Sequence, residues 1–188
     1  MDNLEKRIKI NGVKNGVLLG LILLTLSIFS FYFITSIAKT FTLILLGPIF
    51  FTFVIPVIIV ALLCFNFRKS IGNFWTFRQA TTGIFIMFIL AYAIQTIGRD
   101  VIFAKLVEPD MVKKTQAAFI NASTSLKSRT GADQKQIDQN IAEIKKGFNE
   151  QSNVTTAKFI QGLAISIIFI FVFALIFAAL FKRDPATV

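Results

Sequence analysis

The stretch FNFRKSIGNFWTFRQATTG, Phe65 to Gly83, sets Arg68, Lys69 and Arg78 among Phe65, Phe67, Ile71, Phe74, Trp75 and Phe77, with an uncharged apolar run on either side. Such a segment reads as a turn at a membrane surface between two spans. Basic side chains there reach lipid phosphates while aromatic rings sit at headgroup level. Arg68, Lys69, Trp75 and Arg78 are therefore the expected interface anchors, with Lys182 and Arg183 as counterparts after the last apolar run. Docking of a cytoplasmic partner is the alternative use of the same turn.

Working outward, uncharged runs cover 24 residues from Asn15 to Ala38, 28 between Lys39 and Arg68, 20 between Arg78 and Arg99, and 23 from Phe159 to Phe181. A charge at mid-bilayer costs about 2.5–3.5 kcal/mol on insertion scales. Four windows of this length without one predict an all-α integral membrane protein with four transmembrane helices. The first run follows Lys6, Arg7, Lys9 and Lys14 and ends in Ser36-Ile37-Ala38, which imitates a signal peptide. It is longer than the roughly 7–15 residues of a signal core, so a retained first span is expected. The second run would be about 42 Å long as one helix against a hydrocarbon core of about 30 Å, so it must tilt, kink or begin late. Gly47-Pro48 is the candidate start and Pro56 the candidate kink.

Composition agrees with this class: of 188 residues, 55% are hydrophobic and 22 are Phe, and the mean hydropathy is +0.71. A net charge of +10 would suggest nucleic acid for a soluble chain. Here the basic residues flank apolar runs or alternate with acids, so the lipid bilayer is the expected partner and no nucleic acid is. The lone Cys64 lies in an apolar run and the chain has no His, which removes an internal disulfide and histidine-dependent catalysis. No cofactor or metal site is expected.

Residues 105–155 differ in kind, being polar and mixed in charge. Pro109 and Asp110 suit a first helical turn, and Val112, Thr115, Phe119, Ala122 and Leu126 follow a three-and-four spacing. Arg129-Thr130-Gly131 breaks the pattern. Asp133 can cap a second helix whose stripe is Ile137, Ile141, Ile144 and Phe148, with Gly147 near its end. The organisation expected is three spans within 1–104 with the surface turn at 65–80, a two-helix hairpin at 105–155, and a last span with a cytoplasmic tail at 156–188. About 50 residues with two narrow apolar stripes make a marginal core, so the hairpin is expected to lean on something: its own spans, the membrane, a second copy or another protein.

The short segments favour both termini in the cytoplasm, since four basic residues precede the first span and only Lys39 follows it. The long third loop carries ten basic residues against nine on the other side, but long loops translocate with less regard to charge. The hairpin is accordingly expected to be extracytoplasmic.

Gly12, Gly16 and Gly20 share one helix face and invite close approach of another helix, within the chain or in a dimer. Gly83 and Gly162 join Gly16 and Gly20 as expected packing positions. Gln95 and Gln161 should lie at similar depth, either bonded to each other or lining a polar pocket, and Arg99 and Asp100 complete a candidate polar or lipid-headgroup site. The sequence contains no phosphate-binding loop and no nucleophile with a recognisable base. The first reading is a non-enzymatic accessory or assembly subunit that binds another membrane protein or its own copy. The alternative is a small transporter or lipid-handling protein with a polar site between helices 3 and 4. A lipid-modifying enzyme would have to use scattered acids such as Asp100, Glu108 and Asp110.

The arrangement FRKSIGNFWTFRQATTG, with a basic pair closing the second span and Gly72, Phe77, Ala80 and Gly83 opening the third, resembles a bacterial four-span family known as domain of unknown function 4199. The resemblance extends to EPDMVKK after the third span, to the Gly131-containing break and to the terminal pair Lys182-Arg183. It implies a bacterial inner membrane and an extracytoplasmic helical insertion before the last span. Since that family has no established activity, it implies no catalytic residues.

Overall fold

A computed structural model describes residues 2–130, 134–152 and 155–183. The chain forms α1 (Asp2–Tyr32), α2 (Phe41–Ile49), α3 (Ile55–Ser70), α4 (Phe77–Thr96), α5 (Met111–Thr130), α6 (Gln134–Ser152) and α7 (Thr156–Phe181). Wider π-helical turns extend α1 over Phe33–Ile37, join α2 to α3 over Phe50–Val54, and carry α4 on over Ile97–Val107. Four continuous helices, Asn3–Ile37, Phe41–Ser70, Phe77–Val107 and Ala157–Phe181, are long and apolar enough to cross a membrane. The bundle thus has a near end, with residues 2–10, 70–77 and 181–183, and a far end, with residues 37–41, 97–111 and 155.

The second span does not begin at Gly47-Pro48. Thr40 caps α2 by accepting a hydrogen bond from the Leu43 amide at 3.4 Å, so helix starts at Phe41 and Pro48 lies inside it. Pro48 and Pro56 each withhold a backbone donor. The Thr52 hydroxyl donates to the Pro48 carbonyl at 2.6 Å, and the turn just before Pro56 widens rather than breaking. The third span also runs past its apolar window: Arg99, Asp100 and Lys105 sit on continuous helix that stops only at Val107.

The central contact is α1 against α4, made by glycine. A methyl group on Gly12 would lie 3.0 Å from the Gly83 carbonyl oxygen, on Gly16 2.9 Å from that of Met87, and on Gly20 2.8 Å from the Ile94 Cβ. The backbones approach closely because these positions carry no side chain. Ile8, Leu19, Phe67, Ile84 and Met87 fill the core around this seam, and Ala174, Phe177 and Ala178 bring in the near half of α7. The far half of α7 is mostly exposed, with Phe159, Ile160, Ile165, Ile168 and Phe169 on its surface.

At the far end a second, smaller core answers what the α5–α6 region leans on. Ala122 of α5 packs with Ile34 and Ile44 at the corner between the first two spans, supported by Phe41, Ala118 and Phe119. α6 lies on α5, with the Phe119 and Phe148 rings 6.2 Å apart. Val112, assigned to the inner stripe of α5, is exposed instead, at the start of the helix, while Ala122 and Ser123 further along are buried. Gly147 lies inside α6 rather than at its end. The break at Gly131, the cap at Asp133 and the Leu126 side chain fall outside what is described.

Candidate functional site

At the near end, the turn after α3 uses left-handed backbone at Gly72 (φ 110°) and Asn73 (φ 70°), closed by the Asn73 amide donating to the Arg68 carbonyl at 3.0 Å. The chain then turns inward. Trp75, expected with its ring among the headgroups, is 1% exposed. Its indole N–H donates to the Phe181 carbonyl at 2.8 Å, its backbone exchanges two hydrogen bonds with Arg183, and its ring lies 5.0 Å from that of Phe67. A buried indole needs an acceptor, and the last turn of α7 supplies one. Trp75 is a clasp between the α3–α4 turn and the end of α7.

The basic residues around the clasp remain on the rim. Lys69 stands over the Phe65 ring at 4.4 Å, with the Arg68 guanidinium 5.2 Å from the same ring, and Arg183 lies over Phe74 at 5.5 Å. Arg78 and Lys182 are exposed. Arg7 donates to the Ser70 carbonyl at 2.7 Å, closing the C-terminus of α3.

An apolar cleft of about 250 Å³ lies where α7 parts from its neighbours, between α1, the second span, α4 and α7. Leu19, Phe53, Val57, Phe88 and Ile170 form walls, and Thr52, Tyr92 and Gln95 are its polar members. The wide turn Phe50–Val54 contributes Thr52 and Phe53, so the device that accommodates Pro56 also shapes the cleft. Among the sequence-derived candidates only Gln95 lines it. Gln161 is exposed on the far part of α7, and no hydrogen bond joins the two amides among the described residues. Gly162 has nothing within 4 Å of an added methyl group, whereas one on Gly83 would meet Phe67 and Ile8. Arg99 pairs with Asp100 at 3.9 Å, both side chains being substantially exposed.

The far end carries a polar junction that residue spacing did not reveal. Lys114 of α5 pairs with Glu108 at 2.5 Å, Lys113 pairs with Asp110 at 3.0 Å, and the Tyr32 hydroxyl donates to Glu108 at 3.5 Å. These acids and lysines all belong to EPDMVKK, which therefore works as a joint binding α5 to the end of the first span. The Glu108 side chain is only 16% exposed. Its hydrogen bond holds the Lys114 ammonium above the ordinary lysine pKa, with its negative charge adding to the effect. Tyr32, Thr35, Ser36, Glu108, Lys114 and Asn121 line a groove of about 380 Å³ beside it. The cue available in sequence was Glu108 six positions before Lys114; its other partner, Tyr32, comes from a different span and no spacing rule reaches it.

Among the described residues no three His, Cys, Asp or Glu side chains gather where they could hold a metal ion. The arrangement offers an apolar cleft with a sparse polar rim, an ion-paired joint and a buried aromatic clasp. No curated protein and no solved structure shows a significant match to the chain. A family model described as protein of unknown function (DUF4199) matches residues 14–183, from the α1–α4 seam through the joint and the clasp, and the chain belongs to that family.

Proposed function

We propose that this chain is a non-enzymatic, multi-pass protein of a bacterial inner membrane that acts as an accessory or assembly subunit, with residues 2–10 and 181–183 cytoplasmic and α5–α6 extracytoplasmic. The observation that carries the reading is the state of α6. Ile137 at the start of its stripe is buried, but Ile141, Ile144 and Phe148 are only half-buried although they face α5, and α6 rests chiefly on α5. An amphipathic helix presented on a braced neighbour with its apolar stripe incompletely covered suits a partner that completes the cover. A photoreactive amino acid at Ile141 or Ile144, activated in native membranes, tests it. A discrete crosslinked species at these positions, absent when the probe stands at exposed Lys145, is expected. Only unlinked chain at every position would end the subunit reading.

The cleft favours a second reading, lipid handling. Its lining is overwhelmingly apolar, which suits hydrocarbon and does not suit a polar solute crossing the membrane.

A further inference from the structure

We propose that the cleft binds one acyl chain of a glycerophospholipid from the far leaflet, with the lipid phosphate held by Arg99. This rests on the lipid-handling reading and adds the class of lipid and the group that selects it. The lining sets the occupant of the cleft. Only Thr52, Tyr92 and Gln95 are polar among its walls, and about 250 Å³ between apolar side chains suits part of one slender hydrocarbon chain.

Position sets the headgroup. Phe88, Tyr92 and Gln95 follow one another along α4 on the cleft side, at spacings that keep them on one helix face. Arg99 is four residues beyond Gln95, across the start of the wide turn at Ile97, which brings it back to nearly the same side one turn nearer the far end. A chain lying in the cleft therefore meets hydrocarbon first, then the Gln95 amide at ester depth, then a guanidinium at phosphate depth. The Asp100 carboxylate lies 3.9 Å from the Arg99 Nε, too far for a hydrogen bond, so the guanidinium retains donors for a phosphate. Two wide turns border the site, at Phe50–Val54 and from Ile97 onward. Such turns shift helix register and are enriched where a helix serves a ligand.

The test titrates the full chain, in a mild detergent, with dioleoylphosphatidylglycerol and with dioleoylglycerol, and reads bound lipid by native mass spectrometry. Phosphatidylglycerol is expected to be retained about tenfold more tightly, the size of one charge-assisted contact. Arg99→Gln is expected to bring it down to the dioleoylglycerol level, and Arg99→Lys to restore part of the difference. Val57→Trp, which fills the cleft from a lipid-facing helix, is expected to abolish retention of both lipids, and Ile170→Trp gives the same information from the opposite wall should Val57→Trp not fold. Equal retention of the two lipids, lost on filling the cleft, overturns the phosphate assignment and leaves the lipid-handling reading standing. Retention that survives both filling variants overturns the two together.

Discussion

One added methyl group has opposite expected consequences at Gly16 and at Gly162. At Gly16 it would lie 2.9 Å from a backbone oxygen of α4, which has no rotamer by which to yield, so α1 and α4 must separate. At Gly162 it meets nothing. Gly16→Ala is expected to cost about 1–3 kcal/mol, as overpacking does, and Gly162→Ala, inside α7 and unobstructed, to gain up to about 1 kcal/mol of helix propensity; thermal unfolding in detergent separates them. Trp75→Phe keeps an aromatic ring but removes the buried pyrrole half with its donor, and the stranded Phe181 carbonyl together with the small cavity is expected to cost about 2–3 kcal/mol by the same assay. The Lys114–Glu108 pair adds a pH signature. Because folding raises the Lys114 pKa, its contribution is fully present below the ordinary lysine pKa and is lost as pH rises through the folded value. The melting temperature of wild type should fall towards that of Lys114→Met as pH rises through and beyond the ordinary lysine range, near pH 10. If the two curves stay parallel there, the pair contributes nothing. The roles of these residues were unevenly legible. Glycine spacing exposed the face at Gly16 but not which helix it meets, and Trp75 reads the same in sequence whether its ring faces lipid or the core.

At the scale of elements, the spans were legible because charge is too costly to hide in hydrocarbon, and their breaks were not, because proline states that a donor is missing without saying how the helix responds. The response at Pro56 is a widened turn. Pro56→Ala returns the donor and should tighten that turn, raising stability by about 1 kcal/mol or more while narrowing the cleft. The measurements are the melting temperature and the amount of lipid carried through purification. A variant both more stable and equally rich in lipid would detach the turn from the cleft. The third helix also outruns its apolar window, for a related reason. Arg99 marks where the apolar run stops, but the backbone continues helically to Val107 because nothing before Glu108 requires it to end. The α5–α6 stripes were legible as helices from their periodicity. Their support was not, since Ile34 and Ile44 look like any other apolar residues of a span.

For the whole molecule, the bundle is tight along α1 and α4 and loosens towards the far part of α7. Composition could not indicate this gradient, because Phe, Ile and Leu clothe lipid-facing and buried faces alike. α7 is gripped at one end, where Ala174, Phe177 and Ala178 are buried and Phe181 and Arg183 meet Trp75. Mechanically it is a cantilever. The clasp also joins residues 106 positions apart, Trp75 and Phe181, so the grip does not exist until the ribosome has released the last turn of the helix. Three spans can pair before that moment. A chain truncated just before Phe181 would thus keep all four apolar helices yet leave the indole without its acceptor and the last helix unfastened at its near end.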